Sequence, residues 1–163
     1  MPYLIDGNNL LGSWGGPTRS EDRRLEVVRR VAAFCRARGA RAVLVFDGAP
    51  LRRDLGSQEI GAVSLRYPAP GSDADTVIRA HVDQSPRPSE WTVVTSDKPL
   101  YSYVRTRGAL VLRAHEWNAL ERSNSRKSTE SRRGASTPSD KPSQERDVAG
   151  WLETFGSKAP DED

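Results

Sequence analysis

Apolar residues along this chain gather into short runs, separated by stretches of helical spacing. Pro2 to Ile5 reads as a strand that begins almost at the first residue, and Ala42 to Phe46, Trp91 to Thr95 and Ala109 to Leu112 are continuous apolar runs of strand length. A weaker strand is expected at Ala62 to Tyr67. Between them, Ser20 to Arg38 carries Leu25, Val28, Val31, Ala32 and Cys35 on one helical stripe, and Gly39 supplies the stop. Ser72 to Gln84 places Ala74, Ile78, His81 and Val82 on one helical face, with Ser72 as N-cap and Pro86 and Pro88 beyond its end. Pro99 to Arg107 reads as a helix whose first turn tolerates the proline, and Gly108 ends it. Gly7-Asn8-Asn9 is expected to be a turn, Ser13 to Pro17 a loop, and Asp47 to Gly61 loop-rich. Strands alternating with helices, with little polar alternation inside the strands, predict an α/β fold. Its sheet is mainly parallel and joined by right-handed crossovers.

The pattern changes at Ser123. From there to Ser143 the chain is Ser, Thr, Arg, Lys, Pro and Gly without apolar periodicity, which predicts a disordered basic linker. Helical spacing resumes from Gln144 to Phe155 through Val148, Trp151, Leu152 and Phe155, between a Ser143 cap and a Gly156 stop. The expected organisation is a domain at 1–122, a linker at 123–143, and a short amphipathic helix and tail at 144–163. The helix would dock either on its own domain or on a partner. No internal repeat is visible.

Composition narrows the setting. The 163 residues are 36% hydrophobic and 29% charged, apolar-poor for a chain that packs throughout. The single cysteine, Cys35, excludes an intrachain disulfide and reads as a small buried hydrophobe. No secretory leader precedes the first strand, and no apolar run approaches the roughly 18 residues that span a bilayer. The expectation is a cytoplasmic protein without a membrane partner. The net charge of +3 is a weak pointer to nucleic acid, and a stronger one if the acids are committed to a site.

The acids do fall in a pattern. Asp6, Asp47 and Asp97 each follow an apolar run, and Asp73 and Asp75 open the helix at Ser72. In an open parallel sheet the carboxyl ends of the strands face one crevice, where ligands bind. Two carboxylates about 4 Å apart repel by roughly 1 kcal/mol in water and about 4 kcal/mol at an effective dielectric of 20. Either a proton or a divalent cation relieves that repulsion, and the cation suits phosphodiester hydrolysis. Each acid also has a structural reading. Asp6-Gly7 and Asp47-Gly48 are turn-forming pairs, and Asp73, Asp75 or Asp97 could cap or start a helix. Asn8, Asn9 and Ser96 are neutral oxygen donors suited to positioning a substrate phosphate or a water. Arg23 on the first long helix and Arg52 and Arg53 in the following loop are candidates for RNA binding, against the simpler reading of a solvated basic face. His81 and His115 lack metal-ligand spacing. Neither a P-loop nor a Gly-x-Gly-x-x-Gly turn occurs.

Taken in order, Leu4-Ile5-Asp6-Gly7-Asn8-Asn9, Val45-Phe46-Asp47-Gly48, Ser72-Asp73-Ala74-Asp75-Thr76-Val77-Ile78 and Val94-Thr95-Ser96-Asp97 resemble the NYN domain of the PIN-like nuclease superfamily, in its YacP-like branch. The resemblance covers about residues 1–120, and Trp151 to Gly156 looks like the C-terminal segment of that branch. It implies a three-layer α/β/α sandwich and an endoribonuclease dependent on Mg²⁺ or Mn²⁺, acting on single-stranded RNA. Asp6, Asp47, Asp75 and Asp97 would be the catalytic acids, with Asp6, Asp75, Asp97 and Asp73 as the candidate metal ligands. RNA is the implied partner, with the ribosome as an implied place of action. The alternative is an RNA- or ribosome-binding module that keeps the nuclease fold but cuts poorly. A phosphatase or nucleotidase ranks lower, because no Asp-x-Asp ends the first strand. Oligomeric state, the number of metal ions and the RNA sequence are not legible.

Overall fold

The computed structural model describes residues 1–17, 20–48 and 59–134. Five helices and six strands are present among them: β1 (Pro2–Asp6), α1 (Gly7–Ser13), α2 (Glu21–Arg38), β2 (Arg41–Val45), β3 (Glu59–Ile60), β4 (Val63–Arg66), α3 (Ala74–Gln84), β5 (Thr92–Val94), α4 (Lys98–Thr106), β6 (Leu110–Leu112) and α5 (Ala114–Gly134). The strands form one sheet in the order β3-β4-β2-β1-β5-β6. All pairs are parallel except β3 with β4. From β1 the chain builds outward through β2 to one edge, then returns to add β5 and β6 on the other side. The switch in direction therefore lies at β1, between β2 and β5.

Strand alternation explains why the runs are apolar throughout. Tyr3 and Ile5, Ala42, Leu44 and Phe46, and Val94 face a core closed by α1, α2 and α5. Leu4, Val45 and Val93 face a second core closed by α3 and α4. Both faces of the sheet are covered, so neither set of alternating positions can be polar. The result is the expected α/β/α sandwich. In the first core, Tyr3, Phe34 and Trp117 make edge-on or tilted ring contacts at centroid distances of 4.5–5.6 Å. Cys35 is buried there, and burial pushes its thiol up to about 11, so it behaves as a small hydrophobe.

The structure departs from the sequence expectations at several places. Gly7–Ser13 is a helix rather than a turn and loop, because Asp6 caps it and Leu10 and Leu11 are buried on its inner side. Asp73, not Ser72, caps α3. On α2 the buried stripe includes Arg24, Val27 and Phe34, while Leu25 and Ala32 are only half-buried. The short β3 was not expected.

The basic segment expected to be disordered from Ser123 is helical as far as Gly134. No glycine or proline interrupts it before that point. The Ser125 and Thr129 hydroxyls donate to the carbonyls of Glu121 and Ser125 one turn earlier, at 3.2 and 2.9 Å. The first of two compact units runs from Met1 to Thr129. The remainder of the expected linker and the helix expected at Gln144–Phe155 lie outside the described residues. No described helix is long and apolar enough to cross a membrane.

Candidate active site

The cleft stands at the carboxyl edge of β1, where the sheet changes direction. It is lined by Asp6, Asn8, Asn9, Gly12, Ser13, Asp47 and Ser96. Asp6 and Asp47 line it, whereas Asp73, Asp75 and Asp97 are not among its lining residues, and Asp97 bears on it through its charge on Asp6. Asp6 ends β1 and caps α1, accepting from the Asn9 backbone N–H at 3.1 Å through Oδ1 and from Asn9 Nδ2 at 3.1 Å through Oδ2. Asp47 lies two residues past β2, and its Oδ1 accepts from the Ala74 N–H at the start of α3, at 2.9 Å. Asp97 caps α4, accepting from Leu100 N–H at 3.1 Å through Oδ2.

Two asparagines tie these tips together. Asn8 Oδ1 accepts from the Asp47 backbone N–H at 3.2 Å. Asn9 donates to Asp6 through Nδ2, while its Oδ1 accepts from Ser96 N–H at 3.0 Å. Ser96 Oγ in turn accepts from Ala114 N–H at 3.0 Å, which anchors the start of α5. Asn9 thus fixes Asp6, Asn8 fixes the backbone at Asp47, and Ser96 is tied to Asn9 and Ala114, while all three line the cleft. Gly7 is required by close packing. A Cβ there would stand 2.6 Å from the Phe46 ring and 3.1 Å from the Val45 carbonyl.

Electrostatically, Asp6 is the strained group. It is 7% exposed. Burial pushes its carboxyl from 3.8 up to about 6; the Asn9 bonds oppose the rise, and the charges of Asp47 and Asp97 add to it. Asp6, Asp47 and Asp97 thus share one electrostatic environment.

The helix-opening pair is divided. Asp73 is exposed and its Oδ1 accepts from both Thr76 N–H and Thr76 Oγ1, at 2.8 and 2.7 Å, which hold its carboxyl below the usual range. Its role in the structure is the cap of α3, and it does not line the cleft. Asp75 pairs with Arg79, Oδ2 to Nε at 2.9 Å, while its Oδ1 is shut from solvent without a hydrogen-bond partner. Arg79 also lies over the Tyr103 ring, 4.5 Å from its centroid.

Of the candidate RNA-binding arginines, Arg23 is half-buried against Gly16 rather than on a solvated stripe. Arg52 and Arg53 lie outside the described residues. Sequence reasoning passed over Arg24. It is buried, donates Nη2 to the Asp47 carbonyl at 2.9 Å, and lies over the Phe46 ring. Its spacing from Val28, Val31 and Cys35 put it on the buried stripe, which was the available signal.

Among the described residues no three His, Cys, Asp or Glu side chains are gathered into a ready-made cage for a metal ion. The donor chemistry nonetheless fits Mg²⁺ or Mn²⁺. All the groups are hard oxygens, Asp6 carries charge strain that a cation offsets, and Asp75 Oδ1 is an orphaned acceptor. Mg²⁺ keeps several waters and takes only one or two direct carboxylates, so a loose set of acids suffices.

Over residues 3–153 the chain matches the YacP-like NYN domain. The chain belongs to the YacP-like NYN family. It shares its nuclease-like fold with Rae1 (YacP) from Bacillus subtilis. One crystal structure of that protein is 18% identical, with a TM-score of 0.69 over 97% of this chain and 88% of that one. A crystal structure of a point variant of it is 22% identical, with a TM-score of 0.63 over 77% of each chain. No curated protein matches the chain. In a YacP-like NYN chain, strand-end acids facing one crevice are the part of the fold on which a nuclease reading rests.

Proposed function

We propose that this chain is an endoribonuclease dependent on Mg²⁺ or Mn²⁺ that cleaves single-stranded RNA in the cytoplasm, with mRNA on or near the ribosome as its setting. The observation that supports the reading is Asp6 and Asp47 lining one cleft at the sheet's switch point, with Asp6 buried against its own charge and the charge of Asp97 acting on it. The resemblance adds Asp75 to the catalytic set, and its orphaned Oδ1 supports that addition.

Hydrolysis adds water across one phosphodiester P–O bond. A divalent cation bound among Asp6, Asp47, Asp75 and Asp97 would supply charge neutralisation at the phosphate and a more acidic water. The chain's own residues supply orientation. Asn9 fixes both oxygens of Asp6 and the backbone of Ser96, Asn8 fixes the backbone of Asp47, and Arg24 holds the Asp47 carbonyl from below. Arg79 fixes one oxygen of Asp75 and leaves the other turned inward. Rigid placement of this kind is how a site makes a loosely bound phosphate reactive.

The test is cleavage of a labelled single-stranded RNA with Mg²⁺ or Mn²⁺, with chelator, and with Asp97→Asn. The reading requires cleavage that disappears with chelator and with the variant, while RNA binding survives. Binding without cleavage under every condition would favour the weakly cutting module.

A further inference from the structure

Arg113 and Tyr101 form a pair next to Ser96 and Asp97 at the acidic cleft. Arg113 lies between two residues bonded to the β5 tip. Leu112 accepts from Thr95 N–H at 2.9 Å, and Ala114 donates to Ser96 Oγ at 3.0 Å. Tyr101 is in the first turn of α4, and its N–H donates to the Asp97 carbonyl at 2.8 Å. The Arg113 guanidinium lies over the Tyr101 ring, 5.2 Å from its centroid. Both residues are therefore anchored within one or a few residues of Ser96 and Asp97.

The guanidinium is also uncommitted. Arg30, Arg79, Arg87 and Arg107 each have a carboxylate within ion-pair reach. Among the described residues Arg113 has none. The nearest acid along the chain, Glu116, accepts from the Arg113 backbone N–H at 2.6 Å. Arg113 is exposed and Tyr101 half-buried. A cation left unpaired next to a cluster of aspartates would ordinarily be drawn into it. Here the ring holds the guanidinium plane, and its N–H fork stays available to an anion.

We propose that Arg113, oriented by Tyr101, binds a backbone phosphate of single-stranded RNA flanking the one that is cut. The chemistry is a planar guanidinium fork on two phosphate oxygens, so the subsite recognises the backbone and not the base. It gives the acidic cleft, which repels phosphate on its own, an adjacent point of attraction that sets where the strand lies. The inference rests on the nuclease reading for its geometry, but its test does not depend on cleavage.

The experiment measures binding of a fluorescent, mixed-sequence single-stranded RNA by anisotropy, in chelator, across a salt series. The proteins are the wild-type chain, Arg113→Gln, Arg113→Lys and Tyr101→Leu, each checked for unchanged thermal unfolding. One lost phosphate contact on a single strand lowers the slope of log Kd against log salt by about 0.7, which weakens binding about fivefold at 0.1 M salt. Arg113→Gln should show both changes. Arg113→Lys should keep the slope. Tyr101→Leu should keep the slope while losing affinity about twofold to fivefold, the worth of an exposed cation–π contact. An unchanged slope in Arg113→Gln overturns the subsite, even if the wild-type protein cuts RNA in Mg²⁺. A reduced slope sustains it, even if no cleavage is found and the nuclease reading falls. No RNA binding by the wild-type chain in chelator overturns the subsite, and cleavage in Mg²⁺ then decides the nuclease reading on its own.

Discussion

Replacing Asp6 with asparagine should stabilise the protein at neutral pH while removing its activity. The wild-type carboxyl is buried and pushed from 3.8 to about 6. Between those values the folded state holds a proton that the unfolded state has released. Asp6's contribution is therefore fully present below 3.8 and is lost as pH rises through about 6. Above that, keeping the ionised group in the fold costs about 3 kcal/mol relative to a freely ionising aspartate. Asp6→Asn removes the charge at every pH. It also gives up one of the two hydrogen bonds from Asn9, since an amide offers only one acceptor where the carboxylate offered two, at about 1 kcal/mol. The net gain is about 2 kcal/mol at pH 8, turning to a loss of about 0.5 kcal/mol near pH 4. Urea unfolding of both proteins in chelator, followed by tryptophan fluorescence across that range, reads the difference directly. Carboxylates that do not interact with Asp6 cancel between the two proteins, and the repulsion of Asp6 by Asp47 and Asp97 is part of the difference being read. A difference in stability that stays constant from pH 4 to 8 would refute the reasoning, because Asp6 would then carry no charge strain.

Three further outcomes follow from the same contacts. Gly7→Ala should destabilise the fold by about 1–3 kcal/mol in urea unfolding, since the new methyl meets the Phe46 ring at 2.6 Å and the Val45 carbonyl at 3.1 Å. Asn9→Ala should slow RNA cleavage about 10- to 100-fold in initial-rate assays with little change in RNA affinity, because Asp6 and Ser96 lose their shared tether. Arg30→Met should cost about 2–4 kcal/mol of stability by thermal unfolding. It leaves Glu121 buried without the two 2.7 Å bonds that now satisfy it, tempered by Arg30's partial exposure.

The sheet was legible because a sheet covered on both faces must be apolar at successive positions, and Tyr3-Leu4-Ile5 and Ala42 to Phe46 are. Helix α2 was legible from its spacing and its Gly39 stop, where the backbone turns left-handed at φ 62°. The residues at α1 read as a turn because Gly7-Asn8-Asn9 has turn composition. The local alternative, an aspartate capping a helix, depends on Leu10 and Leu11 finding a core, which no local pattern reveals. Ser123 to Gly134 read as a linker for the opposite reason. That stretch of α5 carries no apolar side chain, and continues a helix whose first turns are anchored by Ala114 and Trp117. In the site, strand-end position indicated Asp6, Asp47 and Asp97, because topology alone brings those tips to one edge. The division of labour between Asp73 and Asp75 was not legible, since both suit the first turn of a helix and only the Thr76 and Arg79 partners separate them. The bonds of Asn8 and Asn9 to groups near residues 47 and 96 are long-range, and no spacing predicts them.

The most direct measurement of the central claim is incubation of the purified chain with a labelled, mostly single-stranded RNA. It would be run in Mg²⁺ or Mn²⁺ and in chelator, beside Asp6→Asn and Asp97→Asn. The account predicts internal cleavage by the wild-type protein in metal only, and none by either variant, although Asp6→Asn is the more stable protein at neutral pH. Cleavage that persists in chelator, or in a folded Asp6→Asn or Asp97→Asn protein, would contradict it.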